Sequence, residues 1–145
     1  MKLRTGEPWM PAQDYGRSLK ALTINLLVRN MDKALQFQRE VLRADIVYSD
    51  MDFAVVRGYD AEWMLHADHT YHGHPMESVL ANAGHRGAGA ELRLHGCDPD
   101  GAEASARRFG FKVLVAASNK AHGLREAYLV DADGYVWVPD VHAKT

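Results

Sequence analysis

Hydrophobic positions along the chain follow two periodicities that alternate in a fixed order. Residues 19–29, LKALTINLLVR, form a β-branched and leucine-rich run of strand length. From Met31 to Leu42 the apolar residues are spaced by three and four positions, which predicts a helix, and Asn30 is placed to cap it. Turn-forming residues separate three further predicted strands, ADIVYSD, FAVVRG and AEWMLHA. The first half of the chain is therefore predicted to be β-α-β-β-β.

The second half repeats this order. AELRLHG (90–96) has the alternation of a strand, Asp98 followed by Pro99 predicts a helix start, and Gly110 lies where that helix should end. FKVLVA, REAYLVD and YVWVPD are the three strands that follow. The two helix starts lie about 68 residues apart, a spacing that indicates a duplicated supersecondary unit and not a short solenoid repeat.

The repeat divides the chain into four segments. Residues 1–18, with Trp9 and Tyr15 among prolines, are predicted to be an extended arm that packs against another surface. A single domain over 19–145 then contains a first module (19–67), a connector (68–89) and a second module (90–141). The connector is longer than an ordinary loop, and a short helical turn is predicted in its MESVLANA stretch.

Composition narrows the possible partners. The chain has 145 residues, 47% hydrophobic and 25% charged, with a formal net charge of −2, so nucleic acid and anionic membranes are not expected as partners. Cys97 is the only cysteine, which excludes an internal disulfide and a thiolate zinc site. Polar residues and prolines interrupt the N-terminal stretch, and no apolar run approaches the roughly 20 residues of a membrane span. We expect a cytoplasmic protein.

Two segments resemble a known superfamily. LLVRNMDKALQFQREVL (26–42) is similar to the opening strand and helix of the glyoxalase / bleomycin resistance / extradiol dioxygenase superfamily, also called the vicinal oxygen chelate fold. HGLREAYLVDADGYVWVPD (122–140) is similar to its closing G-x-R and D-P-D-G hairpin, with Ala132 in place of proline. The resemblance covers about residues 19–141. It implies an α+β fold in which two βαβββ modules form a cup-shaped mixed sheet with helices on its outer face.

The resemblance also implies where a metal would bind. The family's ligand positions fall on Thr23, Met64, Glu91 and Val138. Of these, Glu91 alone suits a hard divalent cation, so we expect the usual metal site to be absent and no cofactor to be needed. The alternative is a divalent metal (Fe, Zn, Mn or Ni) held by a shifted set, His66, Glu91 and His95, which has the composition of a two-histidine, one-carboxylate triad.

Strand alternation predicts which side chains line the cup. With Thr23 and Glu91 pointing inward, the polar face contains the following candidate ligand-binding residues: Thr23, Asn25, Glu62, Met64, His66, Glu91, Arg93 and His95. Arg93 could pair with a carboxylate or phosphate, and Glu91 could act as a base or hold a cationic group. By analogy with the family, Arg125 and Val138 are added, with a structural role at a strand start as the alternative for Arg125.

Four of the eight histidines lie in HADHTYHGHP (66–75). His66 closes a strand and can face the cup, whereas the other three lie among residues that favour turns. Histidines in a loop without a rigid scaffold make poor metal sites, so this tract is interpreted as mostly a loop.

These patterns favour a metal-independent protein that binds a small molecule in a polar cup and forms a homodimer, as the family often does. A metal-dependent lyase, isomerase or dioxygenase is the competing hypothesis. Metal-free catalysis with Glu91 (the tentative catalytic residue) or His95 as general base is a third.

Overall fold

The computed structural model describes residues 1–144 and contains both predicted modules. Its helices are α1 (Ala12–Ser18), α2 (Met31–Gln36), α3 (Met76–Ala81) and α4 (Pro99–Arg108); a π-helical segment (Phe37–Val41) continues α2, and a 3₁₀ turn spans Asp68–Tyr71. Its strands are β1 (Ile24–Val28), β2 (Asp45–Ser49), β3 (Phe53–Gly58), β4 (Ala61–Ala67), β5 (Glu91–His95), β6 (Lys112–Asn119), β7 (Leu124–Val130) and β8 (Val136–His142). The N-terminal arm was predicted to be extended, but Ala12–Ser18 form the short helix α1.

Each module forms its own mixed sheet. The first has the strand order β1-β4-β3-β2 and the second β5-β8-β7-β6. In both, the first and last strands of the module are parallel and the remaining pairs are antiparallel. The α+β fold with two βαβββ modules is confirmed, with the strands divided between two four-stranded sheets.

Both module helices begin at side-chain caps that the sequence indicated. The Asn30 side chain accepts a hydrogen bond from the backbone N–H of Lys33 (3.0 Å), and Asp98 accepts one from that of Asp100 (3.1 Å). The backbone N–H groups in the first turn of a helix have no acceptor within the helix, and the two cap side chains supply one. Gly110, with φ of +80°, takes the left-handed conformation just after α4.

One hydrophobic core joins the two modules. Alternate strand residues such as Leu26, Leu65 and Leu94 are buried on the helix side of their sheets. The Phe37 ring, fully buried, lies 5.0 Å from Phe111 and 6.3 Å from Trp137, centroid to centroid. Because both sheets turn their helix side to this common core, their opposite faces point away from it.

Polar contacts hold the connector to both modules. The buried guanidinium of Arg86 forms two 2.7 Å bonds to Asp68 and donates to the backbone carbonyl of Leu27 (3.0 Å). The backbone N–H of Arg86 donates to the carbonyl of Asp133 in the closing turn (3.3 Å), and the Asp133 side chain also accepts from the backbone N–H of Arg29 in the first module (2.9 Å). The predicted helical turn of the connector is α3.

Across residues 1–144, none of the helices combines the length and the apolar character that crossing a bilayer requires.

Candidate functional site

The face of the first sheet that points away from the core carries the candidate side chains of that module. Asn25, Met64 and His66 lie on this face, and the alternating residues Leu26, Trp63 and Leu65 lie in the core. Asn25 and Met64 are register partners on neighbouring parallel strands, and His66 is two residues beyond Met64. Alternation therefore gives β1 and β4 one apolar and one functional face.

A hydrogen-bonded chain sets the orientation of His66. Its Nδ1 lies 2.6 Å from Asn25 Oδ1, and Asn25 Nδ2 donates to the hydroxyl of Tyr71 (2.9 Å). Since an amide oxygen only accepts, Nδ1 carries the hydrogen. Burial lowers the pKa of His66, and the positive charge of Arg4 lowers it further, which favours the neutral ring. The Nε2 atom is then a hydrogen-bond acceptor.

The N-terminal arm covers this face. The Tyr15 ring packs edge-on against Phe53 (5.8 Å between centroids), and Trp9 stacks on Tyr48 (5.2 Å). Burial, and then the neighbouring Glu62 carboxylate, raise the pKa of Tyr15 to about 12. Its protonated hydroxyl donates to Glu62 at 3.0 Å. The aromatic residues of the arm thus find their packing partners on β2 and β3, and their polar partner on β4.

A buried carboxylate anchors the start of the arm. Asp52, between β2 and β3, accepts from the backbone N–H groups of Leu3 (2.8 Å) and Arg4 (2.9 Å) and contacts His69 Nε2 at 2.6 Å. Burial by itself raises the pKa of a carboxyl, but the hydrogen bonds from Arg4, His69 and Leu3 outweigh it and lower the pKa of Asp52 to about 2. The anchor is therefore ionised at any pH near neutrality.

A cavity of about 230 Å³ remains between the arm and the sheet. Its walls are mostly apolar and include Trp9, Met10, Tyr15, Phe53 and Met64. His66, on β4, is a polar residue of the lining. The other charged or polar lining residues are Lys2 and Arg4 of the arm, Asp52 and Thr70. An apolar cavity with a few polar groups is the usual form of a small-molecule site.

The corresponding face of the second sheet carries a charged network centred on Arg93. The guanidinium contacts Glu91 (2.8 Å), Glu126, Asp140 (3.7 Å) and the Tyr128 hydroxyl (3.4 Å), and both Glu126 and Asp140 are buried. Burial opposes the charge of Arg93, but the bonds to Glu91, Glu126 and Tyr128 raise its pKa overall. Arg93 is thus already paired with carboxylates of its own chain, and the expectation that it pairs with a ligand carboxylate is not supported.

His95 is the best-oriented base on the second sheet. Its Nδ1 lies 2.9 Å from Oδ1 of the buried Asp140, and the His95 side chain is exposed. A carboxylate at Nδ1 orients the ring and leaves Nε2 facing solvent, as a general base requires. Glu91, the tentative catalytic residue, is instead held by Arg93 and by the Tyr128 hydroxyl (3.2 Å).

The candidate residues thus divide between two places. Met64 and His66 line the arm cavity, and Asn25 is hydrogen-bonded to His66. Thr23, Glu62, Glu91 and Arg93 instead line an open groove of about 560 Å³ at the beginnings of β1, β4 and β5. The expectation of one cup shared by all of them is wrong for the single chain. The reason is that the modules pack through their helix sides, which turns the functional faces away from the common core.

Three candidates lie apart from both places. His95 lines neither the arm cavity nor the groove and is paired with Asp140 on the second sheet. Arg125 donates two 2.7 Å bonds to Asp100 at the start of α4 and one to Asn119 (3.1 Å), so it braces a strand against a helix. Val138 is fully buried. Their expected ligand-binding roles are not supported by this placement.

The family's metal-ligand positions do not fit a metal in this chain. Val138 has no donor atom, Met64 faces the apolar cavity, and Glu91 is tied to Arg93. In the shifted set, His66 bonds to Asn25 in the first module while His95 bonds to Asp140 in the second. Within residues 1–144, no group of three or more His, Cys, Asp or Glu side chains is arranged to hold a metal ion.

The histidines of the 66–75 tract have separate partners. His69 contacts Asp52, His72 Nδ1 contacts Glu77 at 3.0 Å, and His74 Nδ1 accepts from the backbone N–H of Met76. The tract forms a 3₁₀ turn and a loop and does not converge on one point.

Sequence reasoning missed the residues that the arm brings to the site. Trp9 and Tyr15 were recognised as packing residues without a partner, while Lys2, Arg4 and Asp52 were not singled out. The concentration of aromatic residues among prolines was the available signal. The sequence contains nothing that pairs Leu3 with Asp52, 49 positions away.

Comparisons with known proteins establish the fold. No protein-family model matches the sequence, and no curated protein matches it. In structure the chain is similar to a glyoxalase-related enzyme from Fulvimarina pelagi (15% identity, 85% of this chain and 88% of that one, TM-score 0.67). It is also similar to a glyoxalase/bleomycin resistance protein/dioxygenase family enzyme from Burkholderia phytofirmans PsJN (13% identity, 83% of this chain and 97% of that one, TM-score 0.68).

A third similar structure is the fosfomycin resistance protein FosX from Listeria monocytogenes (13% identity, 86% of this chain and 94% of that one, TM-score 0.63). Identities this low are evidence for a shared fold and carry no information about activity. The chain has the glyoxalase/bleomycin resistance/dioxygenase fold, and the resemblance found in its two sequence segments is confirmed at that level.

Proposed function

We propose that this chain binds a small organic molecule, without a metal, in the cavity between the N-terminal arm and the first sheet. The observation that carries the proposal is His66, whose Nδ1 is engaged by Asn25 so that Nε2 is left as an acceptor beside an apolar cavity. A ligand that donates a hydrogen bond to Nε2 would gain about 0.5–1.5 kcal/mol from it, in addition to the burial of its apolar part against the cavity walls.

The size of the cavity limits the ligand. A cavity of ~150 Å³ lined by aliphatic and aromatic side chains is known to accept benzene. At about 230 Å³, the arm cavity has room for one ring and a short substituent. The walls formed by Trp9, Tyr15 and Phe53 offer ring faces and edges for aromatic contacts.

Metal independence is part of the proposal and is supported by the donor set. The polar groups at the cavity can orient a ligand by hydrogen bonds, and the family's metal-ligand positions are occupied by residues that do not converge. The second sheet offers the His95–Asp140 pair for proton transfer, but its groups lie outside the arm cavity.

Benzyl alcohol is a suitable first probe, because it has one ring and one hydroxyl donor. We expect it to shift the amide NMR signals of residues lining the arm cavity and to do so equally in the presence of a metal chelator. Met64→Trp, which fills the cavity, should weaken this binding by about tenfold or more, whereas the volume-conserving Met64→Leu should leave it within about threefold. Loss of binding in the chelator would contradict metal independence, and equal binding by Met64→Trp would place the ligand elsewhere.

We also propose that the chain forms a homodimer, acting in the cytoplasm, with a second copy packed on the open face of the second sheet. Val115 on the edge strand β6 is the register partner of Tyr128, whose hydroxyl contacts the Arg93 network on this face. Val115 and its neighbour Leu114 are more than a third exposed, which leaves apolar surface for a partner.

Val115→Lys should weaken the proposed dimer by about tenfold or more, because it places a charge in an apolar contact. Light scattering coupled to size-exclusion chromatography measures the change. Val79→Lys, an exposed position on α3, is the matched control. A wild-type chain that stays monomeric at high concentration would contradict this part of the proposal.

A further inference from the structure

The arginine at one wall of the arm cavity has hydrogen-bonding capacity that the protein does not use. The Arg4 side chain is 13% exposed, and its guanidinium makes one weak contact, from Nη1 to Asp50 at 3.4 Å, with Asp52 slightly farther at 3.6 Å. Its Nε is buried without a partner, and among residues 1–144 its Nη2 donates no hydrogen bond. A guanidinium has five N–H donors, so most of this fork is free.

The two carboxylates nearest to Arg4 do not saturate it, because their oxygens already have other partners. Asp50 accepts from the backbone N–H groups of Asp52 and Phe53 (both 2.8 Å) and from the Tyr48 hydroxyl (2.5 Å). Asp52 accepts from the backbone of Leu3 and Arg4 and contacts His69.

A second cation, Lys2, also lines the cavity and forms no ion pair among the described residues. The titratable and charged groups that line the cavity are Lys2, Arg4, Tyr15, Asp52 and His66. Asp50 and His69 contact Arg4 and Asp52, respectively, and Glu62 accepts from the Tyr15 hydroxyl. The positive groups have unused donors, whereas the acceptors of the negative groups are occupied.

We propose that the ligand of the arm cavity is a monocyclic aromatic carboxylate, its ring between the arm and the sheet and its carboxylate on Arg4 and Lys2. This inference rests on the proposed function, since it specifies the ligand of the same cavity. A planar carboxylate matches the guanidinium fork and accepts two parallel N–H bonds. Because His66 lines the same cavity, its acceptor Nε2 suits a hydroxyl or amino substituent on the ring.

Three probes of nearly the same size and shape test the charge: benzoate, benzyl alcohol and benzylamine. Near neutral pH, we expect benzoate to bind about tenfold or more tighter than benzyl alcohol, and benzylamine to bind weakest, because hydrogen bonds between ionised groups are stronger than those of a neutral hydroxyl. Arg4→Met should weaken benzoate about tenfold to thirtyfold and change benzyl alcohol less than about threefold. Arg4→Lys should restore part of the loss, because it keeps the charge and loses the fork.

Arg17→Met is the matched control, because Arg17 lies on the same arm with its side chain exposed. Hydrogen exchange of residues 8–19 checks that the arm stays docked in each variant, and Lys2→Met provides an independent loss of charge if Arg4→Met undocks it. Equal binding of benzoate and benzyl alcohol, with neither affected by Arg4→Met or Lys2→Met, would overturn the charge inference and leave the proposed function standing. Failure of all three probes to bind would overturn both.

Discussion

Replacing Asp52 with alanine is expected to release the N-terminal arm and remove one wall of the cavity. The change leaves the backbone N–H groups of Leu3 and Arg4 and the Nε2 of His69 without their acceptor. Hydrogen bonds to a charged group contribute about 1.5–3 kcal/mol, so the docking equilibrium of the arm should shift by about a hundredfold. Hydrogen exchange over residues 8–19 and tryptic cleavage at Arg17 should both accelerate, and the affinity for benzyl alcohol should fall in parallel.

Glu7→Ala is the control for this variant, because Glu7 lies in the arm, is exposed and makes no hydrogen bond among residues 1–144. The same anchor predicts a pH dependence. The pKa of Asp52 is lowered to about 2, so its contribution is fully present above about pH 4 and is lost as the pH falls toward 2. An Asp52→Ala arm that exchanges as slowly as the wild-type arm would show that the aromatic contacts suffice to dock it.

The pH dependence of stability should reveal a second carboxylate, Asp131, in the closing hairpin. Burial raises its pKa from 3.8 to about 6, although its oxygens accept 3.0 Å bonds from Asp133 N, Tyr135 N and Trp137 Nε1. Since the pKa is higher in the folded chain, the contribution of Asp131 is fully present below about pH 4 and is lost as the pH rises through about 6. The loss should be on the order of 2–3 kcal/mol in the free energy of unfolding.

Chemical denaturation of the wild-type chain and of Asp131→Asn, repeated from pH 4 to pH 7, isolates this effect. The asparagine amide turns a donor toward the Trp137 N–H, which costs a constant amount at every pH. The difference between the two chains should therefore change with pH by the full 2–3 kcal/mol, in favour of the variant as the pH rises. Asp45→Asn, at an exposed position, is the control, because it removes one carboxylate that is not buried. If the difference in free energy of unfolding between the wild-type chain and Asp131→Asn does not change with pH, the assignment to Asp131 is refuted.

Much of the site's local chemistry could be predicted from sequence. Counting by twos from Thr23 placed Asn25 opposite the core residue Leu26, and alternation along residues 62–66 placed Met64 and His66 opposite Trp63 and Leu65, as the structure has them. The helix caps Asn30 and Asp98 were also correct. These features depend on residues a few positions apart, whose geometry is set by strand pleating and by the first helical turn.

The composition of each site could not be predicted in the same way. The hypothesis of one shared cup placed Arg93 and Glu91 beside His66, but Arg93 is paired with Glu126 and Asp140 on its own sheet. Alternation along a strand indicates which face of the sheet a side chain occupies, but not which other residues lie against that face. Those neighbours depend on how the two modules pack.

By itself, the sequence determined the two βαβββ modules, the caps, the turns and the functional face of each strand, because these follow from short-range periodicity. The tertiary structure alone decided that the modules share a core through Phe37 and Trp137, and that Asp52 binds the backbone N–H groups of Leu3 and Arg4, so that Arg4 and His66 line one cavity. Such contacts join residues tens of positions apart, and their free energy comes from burial and desolvation that exist only once the chain is packed.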